Sequence, residues 1–187
     1  MRHNPCLAVT ILCSAVVFAG LEPAISQEES SQEATNGAAT APPSAVTYWH
    51  NWTDNDGISH LTLCELRDFT LKSMAPPADP LWLNSQNLGD SKLLTVVKPT
   101  DWKGDWHSDT KVLWVATLGG KWFVEAMDDT RIELAAGDIV VVENAQSKRD
   151  ADGREGHRSG NVGDEVVRLM VVQLDELPTV DQPCRFK

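Results

Sequence analysis

Two histidines in this chain stand where a cation or a small polar molecule could be gripped. His107 opens the run His107-Ser108-Asp109, just ahead of a β-rich segment that begins at Val112. On an extended chain residues two apart face the same side, so His107 and Asp109 can look into one cavity. His157 follows later, in Gly156-His157-Arg158-Ser159. A divalent ion that keeps a position open for chemistry wants three or four ligands drawn from His and carboxylate. His107, Asp109 and His157 supply three, the two-His-one-carboxylate set that suits iron(II), and His60 adds a fourth if its strand lines the cavity. The plainer reading is a pair of hydrogen-bonded histidines in a polar cavity without an ion, with Asp109 left to pair with Lys111.

The neighbours extend both readings. Trp102, Trp106, Trp114 and Trp122 cluster around the same stretch and either stack on flat ligands or pack within the sheets. If His107 points inward, parity sends Trp106 outward. Arg154 and Arg158 flank His157 and either hold a ligand carboxylate or belong to a solvated loop. His50 carries no expected role, and its replacement by Ala is expected to be tolerated.

The elements that must position these residues are strands. No stretch after the N-terminal region sustains the i, i+3, i+4 spacing of an amphipathic helix, whereas short β-rich runs between turn residues recur. One run starts at His60, and a second, Leu93 to Lys98, ends at Pro99. Val112–Leu118 and Lys121–Met127 flank Gly119-Gly120, which fits a tight hairpin because primed turns need positive φ. Asp128-Asp129 turns the chain into Thr130–Leu134, and Ala135-Ala136-Gly137-Asp138 turns it into Ile139–Glu143. A long polar stretch, Asn144 to Asp164, separates that run from Glu165–Leu174. About seven short strands at hairpin spacing predict an all-β sandwich or barrel.

With these segments in view, the chain resembles the cupin superfamily from roughly Tyr48 to Asp175. His107 matches the first His of that family's first motif, Asp109 stands in place of its second His, and Gly120 matches its closing Gly. Leu113 or Trp114 falls where the motif has Glu. Gly137-Asp138 and His157 match the ends of the second motif, without the Pro-x-Gly between them. The chain is similar in particular to small bacterial cupin-like proteins of unassigned activity, through Asp56-Gly57-Ile58-Ser59-His60, Gly104-Asp105-Trp106-His107 and Gly156-His157-Arg158-Ser159. The resemblance implies a single-domain double-stranded β-helix, or jelly-roll barrel, with a cavity, and leaves the reaction open. Its candidate ligand-binding residues are His60, Trp106, His107, His157 and Arg158. A bound metal would be one divalent ion (Fe, Mn, Zn or Ni), and a cavity with none is equally admissible.

The rest of the chain speaks to compartment. Residues 1–26 read as a secretory signal: a basic start, an apolar run from Cys6 to Leu21, and small residues at Ala24 and Ser26 before Gln27. A lipoprotein signal at Cys13 is disfavoured by Leu12 just before it. Residues 27–45 lack bulky apolar groups and read as a disordered spacer, so the folded domain is expected over 46–187. Cys64 and Cys184 are the cysteines left after signal removal, either bridged in an oxidising compartment or unpaired. The formal net charge of −11 repels phosphate backbones and anionic lipid, which argues against nucleic-acid and membrane partners.

These features predict a periplasmic or secreted domain that binds a small molecule in its barrel, with a homodimer left open. The alternative is a metal-dependent enzyme of oxygenase, lyase or isomerase type that uses His107 and His157. A third possibility is an interaction module meeting a partner through the polar Asn144–Asp164 stretch.

Overall fold

Alternation decides which face each strand buries. In Arg131-Ile132-Glu133-Leu134 the charged residues are exposed and the aliphatic ones buried. In the last strand Val167, Leu169 and Val171 are buried while Arg168 and Met170 face out. The computed structural model describes residues 45–187, and among these are twelve strands and no helix. In chain order they are β1 (Val46–Thr53), β2 (Ser59–Leu66), β3 (Thr70–Lys72), β4 (Leu81–Leu83), β5 (Ser91–Lys98) and β6 (Lys103–His107), then β7 (Val112–Gly119), β8 (Trp122–Ala126), β9 (Arg131–Leu134), β10 (Ile139–Glu143), β11 (His157–Asn161) and β12 (Val167–Leu174). The expected signal segment, 1–26, and spacer, 27–45, lie outside the described residues apart from Ala45.

A six-stranded sheet runs β2-β1-β10-β7-β12-β5, a four-stranded sheet runs β6-β11-β8-β9, and β3-β4 form a small ribbon. Among the described ladders β1–β10 is parallel and the others antiparallel. The two larger sheets enclose a core of Val115, Trp122, Val124, Val140, Val142, Leu169 and their neighbours. This is the all-β jelly-roll barrel expected from the cupin resemblance.

β10 shows why a continuous apolar run forms here. Val140 and Val142 face the other sheet, while Val141 joins Tyr48, Val112, Leu174 and Phe186 in a second core on the opposite face. The C-terminal segment covers that face, so the strand is buried on both sides.

Two sequence expectations are corrected. Gly119-Gly120 does not close a hairpin: β7 pairs with β10 and β12, β8 pairs with β9 and β11, and the turn carries the chain between sheets. Gly120 is required by close approach as well as by its φ of 73°, since a Cβ there would lie 2.5 Å from the Val166 carbonyl oxygen. The polar stretch after β10 is not all loop. It contains β11, hydrogen-bonded on both edges, whose inward residues His157 and Ser159 are polar and so give no apolar alternation to read. β3, β4 and β6 are likewise too short or too polar to carry that signal.

The C-terminal segment is fastened by polar contacts around Glu143. This buried carboxylate accepts from the Thr179 N–H at 2.5 Å and from Arg185 Nε at 2.8 Å. The Cys184 N–H donates to His50 Nδ1 at 3.1 Å, so the neutral His50 ring carries its proton on Nε2 and donates it to Glu143, also at 3.1 Å. Tyr48 Oη donates to the Phe186 carbonyl at 2.8 Å, and Cys64 is bonded to Cys184 with Cα atoms 5.3 Å apart.

His50 is therefore fully buried and central, contrary to the expectation of tolerance. His50→Ala removes two hydrogen bonds and leaves a cavity, although Glu143 keeps Arg185. The expected loss is about 2 kcal/mol, read as a lower urea midpoint at unchanged m.

Candidate functional site

β6 and β11 lie antiparallel with His107 directly opposite His157. The imidazole centroids are 4.4 Å apart. Gly156 permits this approach: its φ is 73°, and a Cβ would sit 2.2 Å from the His107 carbonyl oxygen. Asp109 follows two residues after His107, and ligand atoms of His107, Asp109 and His157 all lie within 4.8 Å of one another. The three residues thus share one site, and such a group could hold a metal ion.

They line a cavity of about 220 Å³ between the two sheets, with Lys98, Trp102, Trp122 and Ser159. Val115, Val142, Leu169 and Val171 form an apolar wall. His107 is exposed and Asp109 half-buried, which puts them at the mouth, whereas Lys98, His157 and Ser159 are buried.

A chain of amides fixes the tautomer of His157. Asn51 Nδ2 donates to the His60 carbonyl at 3.0 Å, so its Oδ1 accepts from Asn144 Nδ2 at 2.8 Å. Asn144 Oδ1 accepts from the Asp109 N–H at 3.0 Å. The chain ends on two backbone groups of fixed polarity, so neither amide can be reversed without opposing like groups. Asn144 Nδ2 must then be the donor to His157 Nδ1, 2.7 Å away. The neutral His157 ring consequently carries its proton on Nε2.

His107 is held in the opposite sense. Its Nδ1 lies 2.6 Å from the Asp105 carbonyl, which can only accept, so Nδ1 is protonated and Nε2 of the neutral ring keeps its lone pair. This is the usual arrangement behind a metal-ligating His. His157 does not fit that role as held, because metal binding through Nε2 would leave a protonated Nδ1 facing the Asn144 amide donor.

Electrostatics follow from burial. Burial pushes His157 down to about 3, and the charges of His107 and Lys98 add to the effect. Burial pushes Lys98 down to about 8 against the opposing pull of Asp109. Burial raises Asp109, while His107 and Lys98 oppose it. Lys98 Nζ lies 3.9 Å from the Trp122 ring centroid and 4.3 Å from that of Trp102, and these π faces favour the ammonium form.

Because the folded value lies below the ordinary 10.5, the folded state carries the whole cost of the buried charge below about pH 8. Lys98→Met removes that cost. After allowance for the lost cation–π contacts, stability at pH 7 is expected to rise by about 2 kcal/mol in urea titration. A destabilised variant would contradict this.

Other sequence candidates lie elsewhere. His60 is corrected as a fourth ligand: it stacks on Trp52 and bridges Asp54, at 2.9 Å, and Asp128, at 2.8 Å, outside the cavity. Those two carboxylates raise its pKa against the effect of burial. Trp106 and Arg158 lie off the cavity lining: Arg158 binds Glu125 at 2.7 Å, and its guanidinium is 5.5 Å from the Trp106 ring. Parity sends them outward. Trp114 packs on Tyr48 and Phe186 in the second core. Lys111 pairs with Asp175, not with Asp109.

Sequence reasoning missed Lys98, Asn51, Asn144 and Ser159. For Lys98 the signal was present, since Leu94, Val96 and Lys98 share the inward parity of β5.

The two sheets and the cavity between them, with His107 at its mouth and His157 inside, give the domain a jelly-roll barrel architecture. Solved structures with similarity include the cupin domain of Schizosaccharomyces pombe Cnp3, 11% identical and covering 72% of this chain and 86% of that one with a TM-score of 0.34. A Salmonella typhimurium protein named for ethanolamine utilization, EutQ, is 12% identical over 71% of this chain and 98% of its own, also at 0.34. Neisseria meningitidis protein NMB1881 is 13% identical over 49% and 79%, at 0.33. No protein-family model matches the sequence, and no curated protein matches it.

Proposed function

We propose that this is an exported cupin-like domain that binds a small organic molecule inside its barrel by direct hydrogen bonding. The observation that carries the reading is the hydrogen-bond chain from Asn51 through Asn144 to His157, which sets the tautomer of His157. Its Nε2–H is a donor held rigidly by Asn144, beside the Ser159 hydroxyl and opposite an apolar wall. A few fixed polar groups in a largely apolar cavity are what a small-molecule site requires. Export is supported by the signal-like N-terminal sequence and by the Cys64–Cys184 bridge, which suits an oxidising compartment.

The second reading is the metal-dependent enzyme. It is favoured by the close grouping of His107, Asp109 and His157 and by the lone pair on His107 Nε2. A bound divalent ion would supply Lewis acidity or redox chemistry, but it requires Asn144 and His157 to reorganise first.

Thermal shifts against neutral, cationic and anionic small molecules, with and without Fe, Mn, Zn or Ni, separate the two. The binding reading expects metal-independent stabilisation that weakens in His107→Ala and His157→Ala. Stabilisation seen only after one equivalent of metal is bound would overturn it.

A further inference from the structure

The cavity buries a charge that the protein leaves uncompensated at close range. Lys98 is 7% exposed, and the ion pairs formed among the described residues leave it out. Its ammonium is flanked by two indole faces, which attract a cation but accept no strong hydrogen bond. Burying an unpaired charge is costly, and such groups are normally paired or bound to a ligand. His157 and Ser159, 4% and 3% exposed, line the same cavity and add an N–H and an O–H donor. The acid in the cavity, Asp109, is half-buried beside exposed His107, so water can reach it at the mouth.

Polarity is therefore graded: a cation and neutral donors are buried, and a carboxyl group lies nearer solvent. Val115, Leu169 and Val171 supply an apolar surface alongside. The volume of about 220 Å³ equals the liquid share of about seven waters, enough for a short aliphatic or small cyclic acid and too little for a sugar chain or peptide.

We propose that the cavity takes a small monocarboxylate, its carboxylate bound by Lys98, His157 Nε2–H and the Ser159 hydroxyl and its hydrocarbon body against the valine–leucine wall. This rests on the small-molecule reading and names the ligand class for it. The pairing of the ligand carboxylate with Lys98 is charge-assisted and largely shielded from water, so it discriminates strongly against an uncharged isostere. The groups facing the bound carboxylate are Lys98, Asp109, His107 and His157. The carboxylate holds the Lys98 ammonium in its charged form, so binding takes up a proton near pH 8 and weakens as pH rises above it.

The test is calorimetric titration of the full folded domain with hexanoate, hexanamide and hexylamine as probes. Hexanoate is expected to bind at least tenfold more tightly than hexanamide, and hexylamine not to bind. Lys98→Met is expected to lose at least tenfold in hexanoate affinity while remaining folded by circular dichroism. A wild-type titration in two buffers of different ionisation enthalpy provides a readout that needs no variant, and net proton uptake near pH 8 is the expected result. Hexanamide or hexylamine binding as well as hexanoate would overturn the carboxylate assignment and leave the cavity reading standing. Failure of all three to bind would overturn both.

Discussion

Reduction of the Cys64–Cys184 bridge is expected to cost the domain about 4–5 kcal/mol of stability. The two cysteines are 120 positions apart, so the bond closes most of the described chain into one loop. A cross-link acts mainly by restricting the unfolded ensemble, and the chain-entropy relation gives roughly this figure for a loop of that length. The bridge also anchors the C-terminal segment beside Leu63 and the buried Glu143, so reduction should loosen Thr179 to Phe186 before the barrel. Urea unfolding with and without reductant, joined to hydrogen exchange of that segment, measures both effects. A midpoint unchanged by reductant, in protein whose thiols are shown to be free, would contradict the assignment.

Acid should destabilise the barrel well above the range in which carboxylates titrate. His157 has a folded value of about 3 against an ordinary 6.5, so below pH 6.5 the unfolded chain takes up a proton that the folded one refuses. A depressed value of this kind gives stability that is complete above the unfolded pKa and lost as pH falls. Between pH 6.5 and 4 the loss is about 3 kcal/mol. Glu143 acts in the same direction at lower pH, because its hydrogen bonds from His50 and Arg185 outweigh burial and lower its pKa. Asp109 acts in the opposite direction, since burial raises it and protonation favours the folded state. The His157 contribution is isolated by comparing wild type with His157→Gln, whose amide oxygen can still accept from Asn144. The wild type should lose about 3 kcal/mol more than the variant over that interval. Parallel pH profiles would show that His157 titrates normally.

Legibility in the sequence followed polarity. Strands with one aliphatic face announced themselves: β9 and β12 alternate, and the Ile-Val-Val-Val run of β10 marks burial on both faces. The pairing of His107 with Asp109 followed from parity alone, and the motif spacing brought in His157. β11 was hidden because a strand that lines a polar site has no apolar side to show. The Gly119-Gly120 turn was read locally as a hairpin, although its destination is set by which sheet each flanking strand can complete. Lys98 was passed over as the polar end of an apolar run, where parity placed it inside. His60 shows the converse: at the end of Asp56-Gly57-Ile58-Ser59-His60 it reads as a ligand if its strand lines the cavity, and its partners are two aspartates in neighbouring turns. Asn51 and Asn144, which set the tautomer of the site, are distant in sequence, and nothing in their local context signals that they meet.

Direct ligand binding by the His157 N–H requires that tautomer. Long-range proton–nitrogen correlation NMR of the folded protein at pH 7, prepared without chelators, distinguishes the two nitrogens of each imidazole. The expected result is His157 protonated on Nε2 with Nδ1 as acceptor, His107 with the reverse pattern, and His157 signals that do not move when zinc is added. A His157 ring protonated on Nδ1, or one whose Nε2 resonance shifts with one equivalent of metal, would contradict direct ligand binding by the His157 N–H and favour the metal centre.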